Sequence, residues 1–124
     1  MNKASFHPVR IAVVDDDNMF LEMTKMIVSH DIGDNVVSFQ SGKAALDHME
    51  KQDSASIILS DINMPEVDGF QLLTQIKQKY PSKICIMMSG DPDNEVSVKK
   101  LGADGYLNKP FEAKELLNLI QSFL

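Results

Sequence analysis

The chain has 124 residues, 44% of them apolar and 24% charged, with a net charge of −6. That length suits one domain with a proper core, and the composition excludes a disordered chain. An acidic balance with no basic stripe argues against nucleic-acid or anionic-membrane binding by the chain itself, and no apolar run reaches the length of a membrane span. One cysteine, Cys85, cannot form an internal disulfide; with no secretory leader in view, a reducing cytoplasm is the expected compartment.

Val9–Val14 ("VRIAVV") predicts a first strand, which runs into Asp15, Asp16 and Asp17. Phe20, Met23 and Ile27 follow at i, i+3 and i+7, the spacing of one helix face. Asn35–Phe39 predicts a second strand, ending in the less telling Gln40 and Ser41, and Ser56–Ser60 ("SIILS") a third, ending in Asp61 and followed by "INMPEVDG". Leu73, Ile76 and Tyr80 repeat the helical spacing before a fourth strand at Ile84–Met88, which ends in Ser89 and Gly90. Asn94–Leu101 has a thin apolar face and predicts a short, weakly anchored helix. Gly105–Leu107 predicts the last strand, running into Asn108, Lys109 and Pro110, before a helix striped by Leu116, Leu117, Ile120 and Phe123. Gly and Pro residues punctuate these segments, among them Gly33, Gly42, Pro65, Gly69, Pro81 and Gly102.

Short continuous apolar strands alternating with helices predict an α/β fold, a parallel sheet covered on both faces. Ligands of such sheets bind beyond the carboxyl ends of the strands, near the point where strand order reverses. Four strand ends would then bring carboxylates, a hydroxyl and one ammonium to a single edge. Clustered carboxylates call for a cation, and an all-oxygen set without His or Cys favours a hard divalent ion such as Mg²⁺ over zinc. A lysine and a serine hydroxyl suit a phosphoryl group, and a carboxylate between them can act as nucleophile.

On the acidic cluster in "VVDDDN", the loop "LSDINMPEVDGF", the "MSG" after the fourth strand and "GADGYLNKPF" near the end, the chain resembles response-regulator receiver domains from about Val9 to Leu124. Each piece alone is weak; all four in order are specific. The resemblance implies a flavodoxin-like five-stranded sheet of order 2-1-3-4-5, in a single domain over residues 1–124 with its core at 9–124. It implies that Asp61 is phosphorylated and that Asp16 binds Mg²⁺ more directly than Asp15. On the same resemblance the Asn63 carbonyl would complete the coordination, Lys109 would pair with the phosphoryl oxygens, and the Lys109–Pro110 bond is expected to be cis. Ser89 would swing toward the phosphoryl group and Tyr106 turn inward after it. In the family that the chain resembles, the positions of Asn63 and Asp91 tune phosphoryl lifetime; Asp91 would either orient a water or repel an incoming anion.

The implied partners are a histidine kinase or histidine phosphotransfer protein, a downstream protein or fused output domain, and a second copy of the same face. That face is formed by the fourth helix, fifth strand and fifth helix, with Val96, Val98, Lys99, Lys100 and Phe111 as candidates, Phe111 having core as its alternative. No output domain follows Leu124 in this sequence, which leaves a stand-alone receiver and a piece of a longer regulator or hybrid kinase both open. The chain is expected to be a signalling domain, limited to self-phosphorylation and slow self-dephosphorylation.

Two other classes stand beside this reading. A haloacid-dehalogenase-type phosphatase needs a second aspartate two positions after the nucleophile, where this chain has Asn63. A phosphate-independent binding module would not need Asp16, Asp61, Ser89 and Lys109 together. Structural roles account for other residues: Asp17 or Asn18 as a helix N-cap, Asp68 as a cap or turn residue, Cys85 as a buried small hydrophobe. Met19, Met23, Met26, Met87 and Met88 are read as core filler and surface plasticity, all explicable by packing. His7, His30 and His48 have no ligand spacing.

Overall fold

A computed structural model of the chain describes residues 9–124; His7 lies outside them. Five strands, β1 Ile11–Val14, β2 Val36–Phe39, β3 Ile57–Asp61, β4 Ile84–Ser89 and β5 Gly105–Asn108, alternate with five helices among the described residues. The helices are α1 Asn18–Asp31, α2 Gly42–Met49, α3 Gly69–Lys79, α4 Asn94–Lys100 and α5 Ala113–Gln121. All strand pairs are parallel and the order is β2-β1-β3-β4-β5, as expected of a flavodoxin-like sheet.

Alternation along each strand splits the core in two. Ala12 and Val14 of β1, Ile58 of β3 and Met87 of β4 face Ala45 and Met49 of α2, Leu72, Leu73 and Ile76 of α3, and Val98 of α4. Ile11, Val13, Leu59, Ile86 and Met88 face Leu21 and Val28 of α1 and Leu116 and Ile120 of α5. β1, β3 and nearly all of β4 are buried on both faces, but β2 is half-buried throughout because it is an edge strand.

Two packing expectations need correction. The fully buried residues of α1 are Leu21, Thr24 and Val28; of the expected Phe20, Met23 and Ile27, Phe20 and Ile27 pack half-buried against the same core and Met23 is exposed. Met19 is 81% exposed, and Met23 and Met26 are also exposed, so these three methionines are not core, whereas Met87 and Met88 are. In α3, Leu73 and Ile76 are buried while Tyr80 is half-buried at the C-cap. In α5, Leu116 and Ile120 are buried and Leu117 only partly; Phe123, expected on the same stripe, lies past the helix end and is partly buried. α4 is anchored as thinly as expected: Val98 alone is buried, and its N-cap residue, Asp93, makes no side-chain cap bond.

Candidate functional site

The sheet register builds the site. Val14 lies beside Phe39 and Ser60, Asp61 beside Met88, and Ser89 beside Asn108. The residues that follow therefore emerge level at one edge: Asp15 after β1, Asp61 at the end of β3, Ser89 at the end of β4, and Lys109 after β5. Backbone bonds extend the pairing past the strands. Asp15 N–H donates to the Phe39 carbonyl (3.0 Å), Ile62 N–H to Met88 (3.0 Å) and Lys109 N–H to Ser89 (2.7 Å).

The three aspartates of the opening run separate at once. Asp15 is fully buried, and one of its oxygens accepts from the Asp17 N–H at 3.0 Å, which turns the chain out of the sheet. Asp17 caps α1, its carboxylate accepting from the Met19 and Phe20 N–H groups, and so starts the helix. Asp16 is exposed between them. Asp68 likewise caps α3, in a reciprocal box with Gln71. The loop leading into α3 passes through Glu66 at φ +66° and closes with a 2.8 Å bond from Gly69 N–H to the Ile62 carbonyl.

Asp15, Asp16 and Asp61 each offer a carboxylate oxygen within 4.8 Å of the others. Lys109 Nζ lies 3.0 Å from Asp15 Oδ2 and 3.2 Å from Asp61 Oδ1. Burial pushes the Asp61 carboxyl above its ordinary pKa; Lys109 pulls it down, and Asp15 adds to the rise. Three carboxylates facing one ammonium leave a negative excess, and an oxygen-only donor set fits a hard divalent cation. Asn63 is exposed beside this cluster. The Lys109–Pro110 bond is cis, as expected.

Phe20 belongs to the site, which the sequence did not suggest. Lys109 Nζ sits 4.0 Å from the centre of its ring, and Phe111 packs edge-on against the same ring, with centroids 5.5 Å apart. Phe111 is thus half-buried against the α1–α5 core and leaves the expected exposed face. Val98 leaves it too, whereas Val96, Lys99 and Lys100 are exposed there.

Ser89 is fully buried, and its hydroxyl is engaged with the segment that follows it. It accepts from the Asp91 N–H (2.9 Å) and from the Asn94 side-chain amide (2.8 Å), and donates to the Asp91 carbonyl at 3.4 Å. The Tyr106 hydroxyl lies 2.9 Å from the Asp91 carbonyl and 3.0 Å from Asn108 Oδ1, and burial raises its pKa. Asp91 itself is exposed.

Comparison with known proteins gives a consistent result. Residues 11–121 match the family described as response regulator receiver domain. The chain is 35% identical over 116 residues to the response regulator protein FleR of Pseudomonas aeruginosa, covering 90% of this chain and 24% of that protein. The CheY-like receiver domain protein of Methanospirillum hungatei superimposes with a TM-score of 0.86 at 29% identity, covering 94% of each chain. A BeF₃-activated receiver domain of DrrB superimposes at 0.84, with 27% identity, over 94% of this chain and 97% of that one. The chain spans about a fifth to a half of the length of the curated relatives it matches. Among the described residues, no helix is long and apolar enough to cross a membrane.

Proposed function

Because the chain belongs to the response regulator receiver domain family, we propose that Asp61 accepts a phosphoryl group from a histidine kinase or a histidine phosphotransfer protein. The observation that carries the reading is the pairing of Asp61 with Lys109 at 3.2 Å, beside two further carboxylates at the ligand edge of a parallel sheet. The ionised Asp61 oxygen attacks phosphorus; an O–P bond forms, the donor's N–P bond breaks, and its electron pair leaves on the imidazole. Lys109, steadied by the Phe20 ring, offsets charge on the phosphoryl oxygens. Asp15, Asp16 and Asp61, with the Asn63 carbonyl, would hold Mg²⁺, which supplies further neutralisation of that charge when bound.

Phosphorylation then shifts a two-state balance. The Ser89 hydroxyl turns toward the phosphoryl group, Tyr106 moves inward, and the lightly anchored α4 shifts with them. The α4–β5–α5 face, with Val96, Lys99 and Lys100 exposed, meets a downstream protein, an output domain or a second copy. Asn63 and Asp91, both exposed beside the site, tune the lifetime of the acyl phosphate. A phosphatase of the haloacid-dehalogenase type is disfavoured by Asn63, whose amide cannot serve as general acid.

The test is incubation with Mg²⁺ and acetyl phosphate, followed by intact mass measurement. One added phosphoryl group is expected, and none in Asp61→Asn. No adduct, or an adduct that survives that substitution, would overturn the assignment; steady turnover of phosphate esters would favour the phosphatase class.

A further inference from the structure

We infer that Asn94 is a positioning residue that holds the Ser89 hydroxyl away from Asp61 and so sets how readily the site reaches its phosphorylated arrangement. The inference rests on the reading of Asp61 as phosphoacceptor and of Ser89 as the hydroxyl that follows the phosphoryl group.

The Ser89 hydroxyl has two acceptor positions and one proton. Both acceptor positions are filled, by the Asp91 N–H at 2.9 Å and by the Asn94 amide at 2.8 Å. Its proton is left with the Asp91 carbonyl at 3.4 Å, a poor bond. An anionic phosphoryl oxygen asks for the opposite arrangement, with Ser89 as donor toward Asp61. Reaching it breaks both accepted bonds. Asp91 is exposed, so its freed N–H can pass to water. Asn94 is half-buried, and its side-chain amide has no other hydrogen-bond partner among the described residues, so this bond is the more costly of the two to release.

Asn94 also ties the strand to the helix. It is the first residue of α4, a helix held to the core by Val98 alone and lacking a side-chain cap from Asp93. Its amide therefore fixes the helix start to the end of β4 through Ser89. Release of Ser89 removes that tie and leaves the start of α4 held by its own loop, as in the 3.0 Å bond from Asn94 N–H to the Asp91 carbonyl, the same carbonyl that the Tyr106 hydroxyl rests on. Asn94 thereby couples the phosphoryl-sensing hydroxyl to the part of the surface that moves.

The test is a titration of the Mg²⁺-loaded protein with beryllofluoride, a stand-in for the phosphoryl group, read by ¹H–¹⁵N NMR. Asn94→Ala is expected to lower the midpoint about fivefold, the weight of one ordinary hydrogen bond. Asn94→Ser, which keeps a polar residue at the helix start but is too short to reach Ser89, is expected to behave alike. In a Ser89→Ala background the Asn94 effect should vanish, because no hydroxyl is left to hold. An unchanged midpoint, or an equal change in the Ser89→Ala background, would overturn the inference. A wild-type protein that takes no beryllofluoride would instead overturn the Asp61 reading, and this inference with it.

Discussion

Lys109 and Asp15 form an ion pair, 3.0 Å between Nζ and Oδ2, in which the carboxylate is wholly shut from solvent and the lysine side chain is half-buried, 19% exposed. The same ammonium reaches Asp61 at 3.2 Å, so one cation answers two carboxylates. Removing it strands buried negative charge, which costs more than the pair contributes while intact. Lys109→Met is therefore expected to lose about 3 kcal/mol of stability without metal. Saturating Mg²⁺ should restore part of the loss by binding the folded state alone. Urea unfolding with and without Mg²⁺ measures both; a variant as stable as wild type in the absence of Mg²⁺ would show that the pair carries no weight.

Gly69 links the site to its backbone. A Cβ there would stand 2.5 Å from Ile62 Cα and 2.7 Å from the Asp61 carbonyl oxygen, both rigid backbone atoms. Gly69→Ala must therefore push the end of β3, which carries Asp61. The expected cost is about 2 kcal/mol of stability, together with slower phosphorylation by acetyl phosphate. Gly33→Ala, where a Cβ meets nothing within 4 Å, is the control and should change neither. Equal behaviour of the two variants would mean that the loop yields freely.

Much of this site was legible because parallel strands deliver their last residues to one edge, so an acidic or basic residue after an apolar run has a predictable destination. Asp15, Asp61, Ser89 and Lys109 follow from that rule alone. Phe20 does not, since its place over Lys109 depends on how α1 packs beside the end of β5, far away in sequence. Phe20, Met23 and Ile27 have the spacing of a buried stripe, but Leu21, Thr24 and Val28 have it too. Apolarity favoured the first set, and only packing distinguishes a polar Thr24 that is buried from an apolar Met23 that is not. β2 has an apolar run like the other strands, but its half-burial follows from its place at the sheet's edge, a property of topology and not of its own residues.

Thr24 also yields a test of its own. Its hydroxyl is fully buried on α1 with no hydrogen-bond partner among the described residues. A buried polar group left unpaired loses its hydration without recompense. Thr24→Val replaces the hydroxyl with a methyl of similar size and is expected to gain about 1 kcal/mol. The urea midpoint should rise with an unchanged slope. A fall in stability would mean that the hydroxyl is satisfied in solution.

His48 makes stability depend on pH at the end of the sheet away from the acidic site. It is buried in α2, its Nε2 accepts the Ala55 N–H at 3.1 Å, and its ring lies 5.0 Å from that of Phe39. Burial lowers its pKa below the usual 6.5; the charges of Lys51, Arg10 and Lys83 lower it further, and Asp53 opposes them. An acceptor nitrogen must be unprotonated, so the geometry and the direction of the shift agree. With a depressed folded-state pKa, the unfolded chain takes up the proton first as pH falls. His48 therefore subtracts stability progressively below pH 6.5, until the pH passes its folded-state value. His48→Gln offers a carbonyl oxygen for the Ala55 N–H and does not titrate. Urea midpoints measured from about pH 7.5 to pH 5 should fall more steeply for the wild type than for His48→Gln, the difference opening as pH drops. Parallel curves would mean that His48 is protonated to the same degree in both states, and the Ala55 bond could not then be the one that acid removes.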